Sequence, residues 1–156
     1  MKTIKIIAIG IAASSLMFSA CKKDEAKTDA KPSGSSIIVG KDWRLIGLTI
    51  SVPGQPATDL YAQMDACDKD DLIEYLANGS LIDKAGATKC DPAEPDSQNG
   101  GTWALLNNDA QLRLINGDTT IINVQELSAN TMRGYTAESD PVSDLIYTTS
   151  FTFTKN

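Results

Sequence analysis

A two-residue alternation at the end of the chain constrains the fold more than any other feature. In residues 145–154, LIYTTSFTFT, the large side chains of Leu145, Tyr147, Phe151 and Phe153 share one parity, and the hydroxyl side chains of Thr148, Ser150 and Thr152 share the other. Successive side chains of a β-strand point to opposite faces of a sheet. The pattern therefore predicts a strand that packs against a core on one face only, with Leu145, Tyr147, Phe151 and Phe153 on that face.

Seven more segments rich in apolar and β-branched residues precede this one, and each ends near a turn signal. The eight predicted strands are 42–52, 71–77, 80–84, 101–106, 111–115, 119–127, 131–138 and 145–154. Asn78-Gly79 is the strongest hairpin signal among the turns. Leu60 and Met64 have helical spacing, so a short helix is predicted over 58–66. Successive strands with short turns favour an all-β, eight-stranded antiparallel up-and-down barrel, because closure removes the exposed edges.

The first 20 residues have the composition of a secretory signal peptide. Lys2 and Lys5 precede an apolar stretch, Ile6 to Met17, and the small residues Ser19 and Ala20 follow it. The apolar stretch is too short to span a bilayer, which needs about 20 residues.

Cys21 comes directly after this segment, and FSAC (18–21) resembles a bacterial lipobox. That resemblance implies that residues 1–20 are a lipoprotein signal peptide. Cys21, acylated with a diacylglycerol and an amide-linked chain such as palmitate, would then hold the mature chain on the lipid bilayer. Ordinary secretion with a free cysteine is the alternative.

Residues 21–36 are predicted to form a flexible tether after the acylated cysteine. The segment KKDEAKTDAKPSGSS (22–36) has no large apolar residue, so it cannot bury enough surface to offset the entropy of ordering. Lys23, Asp24 and Glu25 resemble the short export signal of surface lipoproteins of Bacteroidota. That resemblance implies localisation in the outer membrane, facing the cell exterior. A solvated tether without an export role is the alternative.

Cys67 and Cys90 are the two cysteines of the predicted folded domain, residues 37–156. In an oxidising compartment, two cysteines in one small domain usually pair. The bond would enclose the Asn78-Gly79 hairpin and stabilise the domain by about 3 kcal/mol in the chain-entropy account.

Several short motifs occur in an order typical of one family. Gly40-Lys41-Asp42-Trp43 opens the first strand, and DACDKDD (65–71), ATKCDP (87–92) and GTWALL (101–106) follow. Together they resemble the small lipocalin-like domains of Bacteroidota lipoproteins. The resemblance implies an eight-stranded barrel closed at one end, although two residues separate the Gly from the Trp where lipocalins have one. Small β-domains with a Gly-Thr-Trp start also occur in META-type folds, which are the alternative.

Composition excludes several function classes. The chain has no histidine, so Ser-His-Asp and Cys-His catalysis and histidine-based zinc sites are excluded. Its net charge is −6, and loss of Lys2 and Lys5 with the signal peptide makes the mature chain more acidic, which disfavours nucleic-acid binding. We therefore expect no enzyme activity, no cofactor and no nucleic-acid partner.

The acidic motif DACDKDD is a candidate calcium site. Its carboxylates are Asp65, Asp68, Asp70 and Asp71, and carboxylate oxygens are the ligands that calcium prefers. The motif lacks the glycine and the distal glutamate of an EF-hand loop. The alternative is a solvated turn in which the aspartates accept hydrogen bonds from backbone amides.

The predicted function is binding of a small apolar or amphipathic ligand inside the barrel, since an eight-stranded barrel can hold one small molecule. The candidate ligand-binding residues are aromatic: Trp43, Tyr75, Trp103, Tyr147 and Phe151. With Phe153, the same side chains could instead fill the interior. The alternative function is therefore a protein-interaction module that binds a partner through the disulfide-tied loops.

Overall fold

The computed structural model describes residues 33–156, so the predicted signal peptide, Cys21 and most of the tether lie outside the described residues. This part of the chain contains two short α-helices, one 3-10 helix and nine strands. They are α1 Gly34–Ile38, β1 Asp42–Ser51, β2 Thr58–Asp59, the 3-10 helix Tyr61–Gln63, α2 Ala66–Lys69, β3 Leu72–Tyr75, β4 Ser80–Lys84, β5 Ser97–Leu106, β6 Gln111–Asn116, β7 Asp118–Leu127, β8 Thr131–Ser139 and β9 Ile146–Lys155. No helix in residues 33–156 has the length and apolar character needed to cross a membrane.

The strands form a closed antiparallel barrel. Strands β3 to β9 pair in chain order, β1 pairs with β3, and β9 returns to pair with the other edge of β1. The closing ladder runs from Trp43↔Lys155 to Ser51↔Thr148. The predicted eight-stranded up-and-down barrel is therefore confirmed, and β2 is one additional strand on the edge of β1.

The segment predicted as one helix over 58–66 is divided among three elements. Residues 58–59 form β2, Tyr61–Gln63 form a 3-10 turn, and Ala66 begins α2. Strand β3 pairs with β1 only at residues 42–44, which leaves the rest of that edge of β1 without a neighbour from β3. Strand β2 pairs there with Thr49 and Ile50, because backbone amides and carbonyls in a sheet need partners.

Irregularities in the ladders curve the wall. Register shifts occur in β1 between Leu45 and Gly47, in the β4–β5 pair, and in the β7–β8 pair. Such bulges bend a strand and increase its twist, which helps a sheet to close. In β1 the shift also changes the parity, so that Leu45 and Leu48 both line the interior.

Helix α1 covers one end of the barrel, which we call the closed end. The Gly34 amide donates a hydrogen bond to Asp109 Oδ2 at 2.7 Å, and the Trp43 indole donates to the Ile38 carbonyl at 3.1 Å. The side chains of Ile38, Trp43 and Tyr75 are almost completely buried there. Helix α1 starts at Gly34, three residues before the predicted start of the folded domain, because the buried Ile38 packs its C-terminal end against the barrel.

Candidate functional site

A cavity that is partly open to solvent lies in the barrel, beyond the filled closed end. Its volume is about 430 Å³, within the size range of small-molecule pockets. Seven of its lining residues are apolar and come from five strands: Leu45, Leu48, Ile73, Leu114, Ile122, Phe151 and Phe153. Thr120, Asp68 and Asp71 complete the lining. We call this space the barrel cavity, and we call the end of the barrel that it faces the open end.

Burial changes along the barrel axis. Trp43 and Tyr75 are 0% and 1% exposed at the closed end, whereas Leu48 and Phe151 remain only partly buried although they line the interior. Because the neighbouring side chains do not cover these apolar groups, part of their surface stays available to a ligand. The interior is therefore filled at one end and hollow at the other.

Gly134 on β8 leaves room for the cavity wall. It is paired with Phe151 of β9 and lies between the buried residues Met132 and Thr136. A Cβ atom at this position would lie 2.5 Å from Ile122 Cγ2 and 2.8 Å from the Asn123 carbonyl oxygen. The glycine thus lets Ile122 approach the β8 backbone.

Three carboxylates lie beside the apolar lining, and we call them the acidic rim: Asp68 of α2, Asp71 just before β3, and Asp83 of β4. Asp68 and Asp71 line the cavity directly. Asp83 is directly opposite Ile73 in the β3–β4 pair, and residues paired in this way share one face of the sheet. Burial raises the pKa of Asp83 above its ordinary value, and the nearby Asp71 carboxylate raises it further.

The rim is fastened to the β4–β5 connection. The predicted disulfide is confirmed: Cys67 of α2 is bonded to Cys90, with 5.3 Å between their Cα atoms. The Thr88 amide donates to Asp70 Oδ2, and the Gly86 amide donates to Asp71 Oδ1, each at 2.9 Å. One covalent bond and two hydrogen bonds therefore hold residues 67–71, which carry Asp68 and Asp71, against the connection between β4 and β5.

The four aspartates predicted as calcium ligands have separate surroundings. Asp70 and Asp71 accept backbone hydrogen bonds, as in the alternative interpretation of the motif. Asp65 is the N-cap residue of α2. In the described chain, the candidate ligand atoms within 4.8 Å of one another belong to Cys67, Asp68 and Cys90. Because a disulfide sulfur lacks the thiolate charge that binds metals, this group is a poor metal site.

The five aromatic residues predicted to bind ligand are not all in one place. Phe151 lines the barrel cavity. Trp43 and Tyr75 are core residues of the closed end, where burial raises the pKa of the Tyr75 hydroxyl. Trp103 packs edge-on against Tyr75, with ring centroids 5.4 Å apart, and its indole donates to a backbone carbonyl. Tyr147 lies farther up β9, in surface pockets beside Ile50.

Several lining residues were not identified from the sequence. Leu114 and Ile122 belong to predicted strands, and the alternation in QLRLI could have assigned Leu114 to the inner face. Asp83 was also missed, although it is two residues from Leu81 and therefore on the inner face of the same strand. An inward carboxylate in a small barrel was a signal for a site.

Comparison with known proteins does not assign the chain to a family: no protein-family model matches it, and no curated protein sequence matches it significantly.

Proposed function

We propose that this protein is a non-enzymatic, lipid-anchored lipoprotein whose lipocalin-like barrel binds one small apolar or amphipathic molecule. The observation that supports this function best is the barrel cavity of about 430 Å³, with its seven apolar lining residues. Transfer of apolar ligand surface from water into such a space gains about 25 cal/mol per Å². The closed wall and the filled closed end provide a rigid container for the ligand.

The proposed anchor is Cys21, on the basis of the lipobox resemblance of FSAC. The chain joins the barrel through α1 at the closed end, where Gly34 is hydrogen-bonded to Asp109. A tether attached at that end would leave the open end accessible to a ligand. The proposed location is the outer face of the outer membrane, on the basis of the resemblance at residues 23–25.

The alternative, a protein-interaction module with a filled barrel, has less support. Its premise is that bulky side chains occupy the whole interior. Trp43, Tyr75 and Trp103 fill only the closed end, and the space lined by Leu48 and Phe151 is hollow.

Titration with prodan, a neutral dye whose emission depends on solvent polarity, tests ligand binding. We expect a saturable blue shift with the purified domain and its loss in Leu114→Trp, where the indole would occupy the cavity. Ile115→Trp is the matched control, because the neighbouring residue is 36% exposed and lies outside the cavity lining. Absence of dye binding to the unmodified domain, or equal binding by both variants, would refute the proposed function.

Fractionation of host cells tests the anchor independently of the ligand. Cys21→Ser should move the protein from membranes into soluble fractions, and membrane retention of this variant would refute lipidation. Replacement of Lys23, Asp24 and Glu25 by alanine should keep the protein anchored while reducing its accessibility to external protease. Unchanged accessibility would refute surface export alone.

A further inference from the structure

We propose that the ligand of the barrel cavity is an amphipathic cation, with an ammonium head at the acidic rim and an apolar body among the aliphatic and aromatic lining residues. This inference rests on the proposed function and adds the chemical class of the ligand. It is based on the charges of the described residues around the cavity and on the partners that these charges already have.

The lining of the cavity has one sign of charge. Asp68 and Asp71 are its charged residues, and Asp83 lies beside Asp71 on the same face of the wall. None of the described residues that line the cavity is basic. A second, smaller pocket of about 260 Å³ shares Asp71 and Ile73 with the barrel cavity and is lined by Asp83 and also by Lys84.

The lysines near the rim are engaged elsewhere. Lys69 Nζ lies 5.4 Å from the centroid of the Tyr61 ring and donates to a backbone carbonyl. Lys84 Nζ is 2.8 Å from both Asp42 and Glu74. Lys89 Nζ lies 2.6 Å from Asp96. These three lysines of the described chain are therefore paired with groups other than the acidic rim.

The rim carboxylates retain capacity to accept hydrogen bonds. Asp71 uses Oδ1 to accept from the Gly86 amide, and a carboxylate has about four acceptor sites over its two oxygens. Asp68 Oδ1 lies 3.4 Å from Cys90 Sγ, but a disulfide sulfur has no proton to donate. An ammonium group has several donors and a positive charge, so it can pair with the acceptor sites that these carboxylates keep.

Electrostatics also selects against the common alternative, an anionic lipid. The mutual repulsion of Asp71 and Asp83 is relieved by a cation and increased by a ligand carboxylate. A neutral ligand of the same shape gains only the apolar contacts. The cavity volume of about 430 Å³ limits the apolar body to one short chain or a small ring system.

A ligand series with one apolar body tests the inference. Dodecylamine, dodecanol and dodecanoate, each below its aggregation concentration, are used to displace prodan from the purified domain at pH 7 and low salt. We expect half-displacement by dodecylamine at a concentration at least about tenfold lower than by dodecanol, with dodecanoate the weakest, and we expect 0.5 M NaCl to reduce the preference for the amine.

Variants that lack the rim charges test whether these carboxylates cause the preference for the amine. In Asp68→Asn/Asp71→Asn, dodecylamine and dodecanol should displace the dye at concentrations within about threefold of each other, because the charge that distinguishes the amine from the alcohol no longer has a partner. The side-chain amide oxygen introduced by Asp71→Asn can still accept the hydrogen bond from the Gly86 amide, so the rim keeps its geometry. Glu138→Gln/Asp144→Asn is the control, since it removes two exposed charges that do not line the cavity and should retain the preference.

The outcomes separate the two proposals. Equal displacement by amine and alcohol, stronger displacement by dodecanoate, or an amine preference that survives in Asp68→Asn/Asp71→Asn would overturn the cation inference, and dye binding would still support the proposed function. Failure of the unmodified domain to bind prodan would overturn the proposed function itself.

Discussion

The closed end and the open end of the barrel are built from the same strands but have different interiors. Strand β1 contributes Trp43 to the closed end and Leu48 to the barrel cavity. At the closed end the side chains are large, and the indole donors of Trp43 and Trp103 are both satisfied by backbone carbonyls. At the open end the apolar lining side chains are leucine, isoleucine and phenylalanine, and the charged groups beside them are carboxylates.

This difference indicates that the two ends of the barrel contribute differently to the stability of the fold. Packed aromatic residues with satisfied polar groups stabilise a fold, because burial of an unpaired donor is costly. A space lined by partly buried apolar groups and by carboxylates that can accept further hydrogen bonds stabilises the fold less and suits ligand binding. Substitutions at the two ends should therefore have different effects on stability.

The largest difference is expected between Trp43→Ala and Leu48→Ala. Trp43 is completely buried, so its truncation should lower the free energy of unfolding by about 3–5 kcal/mol. Leu48 already faces the cavity, so its truncation should cost only roughly 1 kcal/mol, below the usual range for a packed leucine. Urea denaturation followed by fluorescence measures both. Equal losses would show that the two ends are packed alike.

Removal of the disulfide should affect the open end selectively. In Cys67→Ser/Cys90→Ser the domain should lose up to about 3 kcal/mol of stability, and less if the Asn78-Gly79 hairpin already holds the enclosed loop together. Hydrogen exchange should accelerate in residues 66–71 and 86–90, while the amides of β7 and β9 stay protected. Equal acceleration in those two strands would mean that the bond supports the whole barrel.

Two strand glycines provide the next comparison. Gly134→Ala places a Cβ atom 2.5 Å from Ile122 Cγ2, so the cavity wall must shift, at a cost of about 1–3 kcal/mol. Gly47→Ala meets Thr152 at 3.4 Å, an ordinary contact, and should change stability by less than about 0.5 kcal/mol. Thermal unfolding distinguishes the two, and similar melting temperatures would contradict a role of Gly134 in spacing the wall.

The smallest effect is expected in the pH dependence of stability. The pKa of Asp83 is raised in the folded state, so the folded state takes up this proton first as the pH falls. The unfavourable contribution of ionised Asp83 is then lost between its folded and its unfolded pKa. Asp83→Asn should therefore stabilise the domain at neutral pH and remove the gain of stability that the unmodified domain obtains from this group as the pH falls between the two pKa values.

Asp140 serves as a control, because its pKa is shifted in the opposite direction to that of Asp83. Its pKa is lowered by the backbone amides of Ser143 and Val142. Its stabilising contribution is present above the unfolded pKa and is lost as the pH falls through the folded pKa. Denaturant titrations of Asp83→Asn and Asp140→Asn from about pH 3 to pH 7 should change the profile in opposite directions, and a shared direction would contradict the assigned causes.

The strands were predictable because their signals are local. Asn78-Gly79 indicated a hairpin, and Gly79 has a φ of 86°, as such a turn requires. Most of the helix predicted over 58–66 does not form. Residues 58–59 instead pair as a strand with the part of the β1 edge that β3 does not reach. That edge is unpaired only because β3 is short, which is a property of the assembled sheet.

The candidate site was predictable only in part. Parity places both Trp43 and Phe151 on the inner face, so the sequence supports either residue as a ligand contact. The two residues differ in their position along the barrel axis. That position depends on the register between β1 and β9, in which Leu48 pairs with Phe151 and Trp43 pairs with Lys155. A register between strands so distant in the chain cannot be read from local alternation.

The closing ladder between β1 and β9 also determines when the protein can fold. It joins the first and the last long strands of the described chain, so the wall cannot be completed until residues 146–155 are available. Contacts of such long sequence separation slow folding, because the loop entropy is lost before the pairing is gained. A chain that ends before β9 would keep two unpaired strand edges, on β1 and on β8, and would be prone to aggregation.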